Sequence, residues 1–380
     1  MATTWTSEPA EILRAGTDFA LADVDPRSTP GFAGDTGYAR QVLESGREAL
    51  SDLQERLFAS SRTGGDQGSV LLVLQGTDTS GKGGVVRHVV GSVDPQGVAH
   101  HAFKQPTEIL RAGPDVRLAD VDPRSTPGFP GDKRYAAQVL ESGRDTLGEL
   151  QEKLFAGSRT GGSQGNVLLV LQGTDTAGKG GIVRHVVGAV DPQGVAHHAF
   201  KAPTEEELAH DFLWRVRREL PGPGMIGVFD RSHYEDVLIG KVRRLAPPEE
   251  IERRYDEIVE FERELVDAGT TIVKVMLHLS RDEQKERLTE RLDRPDKHWK
   301  FNPGDIEERL VWDDYQDAYE TALRRTSTDA APWYVVPADR KWYARVAVQR
   351  LLVDALEARG LGWPPAGFDV ELERTRLAST

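Results

Sequence analysis

The chain has no cysteine at all and only three methionines among 380 residues. Without thiols there is no disulfide, no thiolate metal site and no cysteine nucleophile. Nowhere do about 18 apolar residues follow one another, which excludes a membrane-spanning helix. The opening MATTWTSEPAEILRAG lacks a basic start followed by an apolar stretch, so no secretory signal is expected and the cytoplasm is the expected location. Positive charge is in deficit as well: 48 Lys and Arg stand against 61 Asp and Glu, giving a net charge of −13 and a pI near 5.3. Wholesale binding to nucleic acid or to an anionic membrane is therefore not expected. A polyanionic substrate requires basic residues gathered in one place.

What is present is a hydrophobic fraction of 38 % with 29 % charge, enough to bury a core in one large domain or two ordinary ones. The dominant feature is an internal repeat. Residues 11–107 and 108–204 align without a gap, and most paired residues are identical: EILRAG begins at 11 and 108, DVDPRSTPGF at 23 and 120, LLVLQGTDT at 71 and 168, DPQGVAHHAFK at 94 and 191. Two copies of such length fit a tandem duplication rather than a solenoid. Each copy reads as an amphipathic helix (Tyr38–Phe58; Tyr135–Phe155), a buried strand (Val70–Gln75; Val167–Gln172), a glycine-rich turn, a short helix and a second strand.

Only the second copy runs on. The pattern predicts a helix near Thr204–Leu220, a strand Met225–Phe229, helices near Tyr234–Arg244 and Pro248–Ala268, and a strand Thr271–Leu279. A helix Arg281–Leu292, a loop Asp293–Asp305, a helix Ile306–Arg325, a strand Trp333–Val336 and a helix Trp342–Ala358 come next. Strands alternating with helices indicate an α/β fold, a three-layer parallel sheet with helices on both faces. The first copy has two strands and no further elements of its own. Residues 108–365 are therefore expected to form the working domain, residues 1–107 an accessory partial duplication, and 366–380 a C-terminal tail.

Three stretches carry chemistry. In LLVLQGTDTAGKGG, a buried strand enters a turn holding Gly173, Gly178, Gly180 and Gly181, and a helix starts after it. Glycines let successive backbone N–H groups wrap phosphate oxygens, and Lys179 adds its ammonium to the same phosphates. The usual Ser or Thr after that Lys, which holds Mg²⁺, is replaced by Gly180, so the metal needs another oxygen, and Asp175 inside the loop is the obvious supplier. The first copy repeats the loop at Gly76–Gly84 with Asp78 and Lys82 preserved, but without the rest of a sheet. In GMIGVFDRSHYEDV, an apolar strand delivers Asp230 at its C-terminal end, where a carboxylate can hold Mg²⁺ beside the loop. Arg231 offers a planar donor fork for a phosphate, Ser232 is placed to cap the next helix, and His233 and Tyr234 are open between contact with substrate and packing. In RDEQKERLTERLDRPDKHWKFNPGD, Arg287, Arg291 and Arg294 share one helical face, and Lys297 and Lys300 extend the basic series into a loop. Alternating acids also allow a salt-bridged, solvated helix. Its position after the fourth strand is where nucleoside monophosphate kinases carry an arginine-rich lid.

Together GTDTAGKGG at 173, FKAPTEEELAHDFLWR at 200, FDRSHYEDVL at 229 and DKHWKFNPGDIEERLVWDDYQDAYETAL at 296 resemble the type 2 polyphosphate kinases, over about residues 115–358. The resemblance implies a P-loop kinase fold with a helical lid near 285–305. It also implies Mg²⁺-dependent, reversible transfer of a terminal phosphoryl group from inorganic polyphosphate to AMP or ADP. It places the metal on Asp175 and Asp230 and phosphate on Lys179 and Arg231, with the lid arginines matched by Arg291 and Arg294. A homodimer or homotetramer is implied too. The alternatives are an ATP-dependent kinase of a nucleotide or small metabolite, which Gly180 disfavours, and a non-catalytic nucleotide- or polyphosphate-binding protein.

Overall fold

The computed structural model describes residues 6, 9–15, 24–25, 28–62, 70, 72, 85, 89–90, 106–160 and 165–380. The chain divides into two compact units, residues 1–101 and 102–380. The first is dominated by a helix α1, Thr36–Arg62. The strand and glycine loop expected at 70–84 fall almost wholly outside the described residues. Within the second unit, the repeat reproduces the same local start. Helix α2, Lys133–Arg159, is capped by Asp132, whose carboxylate accepts from the backbone of Arg134 and Tyr135. Asp35 accepts from Tyr38 N–H in the first unit, and Phe32–Tyr38 stack as Phe129–Tyr135 do. Cap and aromatic pair are local features, so equal sequence gives equal geometry.

The second unit holds a five-stranded sheet: β1 Asn166–Gln172, β2 Val195–Ala199, β3 Ile226–Asp230, β4 Thr270–His278 and β5 Trp333–Pro337. Every pairing is parallel and the spatial order is β2-β3-β1-β4-β5. This is the expected α/β architecture. Strand β1 alternates its residues between two apolar faces, as a doubly covered parallel strand must. Val167, Leu169 and Leu171 join Leu147 and Leu154 of α2, Ile182 of α3 (Lys179–His185), and Val348 and Leu352 of α8 (Lys341–Glu357). Leu168 and Val170 join Tyr255, Ile258 and Phe261 of α4 (Pro248–Asp267) and Ala322 and Leu323 of α7 (Trp312–Thr326). Each such leucine buried fully contributes about 2 kcal/mol.

Three expected helices are subdivided, and the one near 234–244 is a 3-10 turn His233–Asp236 followed by a single helical turn Ile239–Val242. The one near 204–220 is two short pieces, Glu205–Leu208 and Trp214–Arg218, because the Asp211 side chain takes the Leu213 N–H and turns the chain between them. The one at 306–325 becomes α6 (Gly304–Leu310) and α7, broken at Val311. Between them and β4 lies α5, Arg281–Asp293, succeeded by a 3-10 turn Pro295–Lys300. A last helix α9, Val370–Ala378, has no buried residue. No helix among the described residues is long and apolar enough to cross a membrane.

Candidate active site

From β1 the chain runs past β3 to β2 on one side, and from β3 it crosses β1 to β4 on the other, so the crevice at the C-terminal ends of β1 and β3 is the switch point of the sheet. The glycine loop sits at that end of β1. Gly173 has φ +150°, and a Cβ there would stand 2.9 Å from the Leu277 carbonyl oxygen, so the close approach of β4 admits no side chain. Thr176, a β-branched residue, is held at φ 68°, a conformation that costs about 1–3 kcal/mol. Lys179 is nearly buried and folds back along the loop, its Nζ donating to the Gly173 carbonyl at 2.7 Å. The hydroxyls of Thr174 and Thr176 are buried without a hydrogen-bond partner. Buried polar atoms left so call for a ligand, an ion or water.

Parallel register places Asp230 opposite Leu171, one residue before the end of β1. Its side chain has no hydrogen-bond or ion-pair partner among the described residues. Arg231 comes next at φ 64°, its N–H tied to the Leu171 carbonyl at 3.1 Å. That turn swings the guanidinium across to the loop, where Nη2 meets Asp175 Oδ1 at 2.8 Å. Burial works to raise Asp175, but the charges of Lys179, Arg231 and Arg291 outweigh it and hold the carboxyl below its usual range. Arg231 is pushed the other way: burial disfavours its charge, yet Glu235 and Asp175 raise its pKa above the ordinary arginine value. Gln172, the last residue of β1, ties the two motifs from beneath. Oriented so that its amide donates to Glu235 at 2.9 Å, it accepts from the backbone and hydroxyl of Ser232 at 3.2 and 3.1 Å.

Ser232 caps the 3-10 turn His233–Asp236 through Tyr234 N–H, at 3.2 Å. His233 and Tyr234, open on sequence grounds, are packed inside. Tyr234 OH donates to Glu262 at 2.7 Å, and His233 Nε2 lies 3.3 Å from the same carboxylate. Lys274, in the centre of β4, completes the network with Nζ 2.5 Å from Glu262, 3.0 Å from Tyr234 OH and 2.7 Å from the Thr326 carbonyl.

The five basic residues of the third stretch are separated. Arg287 is buried against the back of the glycine loop, with its guanidinium on the carbonyls of Thr176 and Ala338 at 2.9 and 2.8 Å. Arg291 faces inward and pairs with Asp305 at 3.2 Å, close enough to act on the Asp175 carboxyl. Arg294 pairs with Asp296 at 2.8 Å and Lys297 with Glu290 around the 3-10 turn Pro295–Lys300. Lys300 lies 4.9 Å from the centre of the exposed Trp299 ring. Sequence reasoning passed over Asp305 and Glu235. Asp305 is 5 % exposed, and burial with the nearby Asp175 charge raises its pKa against the pull of Arg291. Burial raises Glu235 as well, against Arg231 and Lys179. The signal available for both was their closeness to a motif, which does not distinguish a site residue from a loop or helix residue.

The family model of polyphosphate kinase 2 matches residues 40–113 and 132–361. This chain belongs to the polyphosphate kinase 2 family. It is 48 % identical over 256 residues to the AMP/ADP-polyphosphate phosphotransferase of Meiothermus ruber, covering 67 % of this chain and 94 % of that one. It is 42 % identical over 254 residues to the ADP-polyphosphate phosphotransferase of Rhodopseudomonas palustris, covering 64 % and 86 %. The crystal structure of polyphosphate kinase 2 from Arthrobacter aurescens superposes with a TM-score of 0.72 at 57 % identity, over 74 % of this chain and all of that one. That structure and the all-parallel sheet agree with the fold class read from the motifs.

Proposed function

We propose that this chain transfers the terminal phosphoryl group of inorganic polyphosphate to AMP or ADP, and catalyses the reverse reaction. One observation carries the reading: the Asp175–Arg231 pair, Lys179 and Asp230, whose carboxylate has no partner among the described residues, converge where β1 and β3 end, in a chain whose relatives are named for that transfer. A phosphate oxygen of the acceptor nucleotide attacks the terminal phosphorus, and the bridging P–O bond to the rest of the polymer breaks. The polymer leaves one phosphate shorter. No covalent bond to the enzyme is needed, so the protein's work is positioning and charge stabilisation.

The loop amides from Gly173 to Gly181 and Lys179 grip the transferring end. Arg231, placed by its strained backbone, spans donor and acceptor phosphates with its fork. Arg291, the partly buried Lys297 and the exposed cations Arg294 and Lys300 track the polymer and exclude water when the lid descends. Arg287, with its donors already on carbonyls, serves the loop rather than the phosphate. Mg²⁺ would be held by Asp175 and Asp230 and would neutralise charge on the bridging oxygens. Among the described residues no three or more His, Asp or Glu side chains gather into a closed metal cage. Two carboxylates beside orphaned hydroxyls suit a hard ion that keeps waters and substrate phosphates in its shell.

A homodimer or homotetramer, a cytoplasmic location and an accessory role for residues 1–107 belong to the same proposal. Family membership, the absence of cysteine and the incomplete repeat support them in turn. The test supplies polyphosphate, Mg²⁺ and either ADP or AMP and monitors ATP or ADP by chromatography. Absence of phosphorylated product from freshly purified protein refutes the reading.

A further inference from the structure

Arginines in a phosphate-transferring lid are expected to face phosphate, and Arg287 does not. It is 5 % exposed, and its five N–H groups are taken up by protein. Nε donates to Glu283 at 2.8 Å, one turn earlier on α5. Nη1 donates to the carbonyls of Thr176 at 2.9 Å and Ala177 at 3.4 Å, inside the glycine loop. Nη2 donates to the carbonyls of Ala338 at 2.8 Å and Asp339 at 2.9 Å, just past β5. Gln284, on the same face of α5, adds a bond from its amide to the Asp175 carbonyl at 3.2 Å, and is itself held by Arg309 at 2.7 Å. The three consecutive loop carbonyls of residues 175–177 are therefore all tied to α5. The middle one belongs to Thr176, whose positive φ nothing local favours.

We propose that Arg287 is a positioning residue. It braces the glycine loop in its strained form, so that Asp175 meets Arg231 and the loop amides face the substrate, and it makes no contact with phosphate. Gln284 is its auxiliary. Because a planar guanidinium spans the two pairs of carbonyls at once, an ammonium cannot replace it. The first two turns of α5 are thereby stapled to the loop and to the end of β5, and lid movement pivots beyond Arg287. The inference rests on the phosphoryl-transfer reading, and the experiment separates the two.

Arg287→Ala, Arg287→Lys and Gln284→Ala are compared with the unaltered full chain, with polyphosphate and ADP as substrates and tripolyphosphate binding measured by calorimetry without turnover. An inactive unaltered chain would overturn the functional reading itself. With that chain active, the brace predicts that Arg287→Ala and Arg287→Lys both lose kcat by about 100-fold, the scale of a misplaced reacting group. KM for polyphosphate, its salt dependence and tripolyphosphate affinity stay close to the unaltered values. Free guanidinium, added well below denaturing concentration, should restore part of the lost kcat to Arg287→Ala. Gln284→Ala should show the same pattern more weakly. A direct phosphate contact predicts the reverse: weakened tripolyphosphate binding, a flatter salt dependence and substantial rescue by Lys. That pattern, or wild-type kcat in either Arg287 variant, overturns the brace. If Arg287→Ala fails to fold by circular dichroism, Arg287→Lys and Gln284→Ala carry the same decision.

Discussion

Replacing Glu262 by Gln should destabilise the chain by about 3–5 kcal/mol at pH 7, because it leaves a buried ammonium without its counter-ion. The side chain of Lys274 is 0 % exposed and that of Glu262 3 %. The carboxylate holds Lys274, Tyr234 and His233 together, so a carboxamide of the same shape would turn an NH₂ or a neutral oxygen toward three donors. The loss has a ceiling. Burial already pulls Lys274 below the ordinary lysine range, with Glu262 opposing it. Without Glu262 the ammonium can shed its proton; doing so at pH 7, about 3.4 pH units below an ordinary lysine, costs about 4.6 kcal/mol. A lowered lysine pKa means that the charged form burdens the fold below that pKa and the burden fades as pH rises, here by about 1.4 kcal/mol per pH unit. Urea unfolding of the intact chain at pH 7 and pH 9, monitored by near-ultraviolet circular dichroism, measures both the loss and its decline. Lys274→Met combined with Glu262→Gln removes both charges and should be less destabilised than Glu262→Gln alone. A loss below about 1 kcal/mol, no decline at pH 9, or simple additivity would refute the charge-pairing argument.

Asp230→Asn should abolish ATP formation from ADP while the circular dichroism spectrum and melting temperature stay unchanged; chelation of divalent metal should silence the unaltered enzyme, and Mg²⁺ should restore it. Glu235→Gln should be more stable than the parent at pH 7.5 but equal to it near pH 4. The folded-state pKa of Glu235 is raised, so ionising it costs stability only above the unfolded carboxylate range, and a pH-independent difference in urea midpoint would contradict this. Arg294→Ala and Lys300→Ala, at the two ends of the 3-10 turn after α5, should raise KM for polyphosphate a few-fold and flatten its salt dependence, with kcat nearly intact; a collapse of kcat would assign them to the reacting phosphates instead. A chain beginning at residue 106 should keep the kcat of the full chain, and a large loss would show that the first unit takes part in catalysis.

Much of the architecture was legible because it is written in short-range pattern. Apolar runs of strand length between helices announce a parallel sheet, and the glycines with Lys179 mark a loop whose backbone must approach something closely. The place of Asp230 at a strand end was legible for the same reason. Arg287 and Arg291 could not be told apart by spacing. Both lie on one face of α5, and only the packing of that face against the glycine loop and β5 turns the first onto carbonyls and leaves the second toward Asp175 and Asp305. His233 and Tyr234 were undecided because a polar residue after a strand reads alike whether it meets substrate or a buried Lys274, forty residues further along the chain.

The repeat separates the two kinds of information cleanly. Equal sequence produced an equal capping aspartate and an equal aromatic pair at the starts of α1 and α2, since those interactions span only a few residues. Leu147 is nevertheless 1 % exposed and its repeat counterpart Leu50 38 %. An amphipathic helix specifies a face to bury, but not the surface that buries it. For Leu147 that surface is a sheet assembled from strands up to Pro337; among the described residues 1–101 no strand is found. Helix and cap were thus determined by sequence alone. What surrounds the second loop was decided by tertiary structure, because Asp230, Arg231 and Arg287 reach it only through long-range strand pairing and packing.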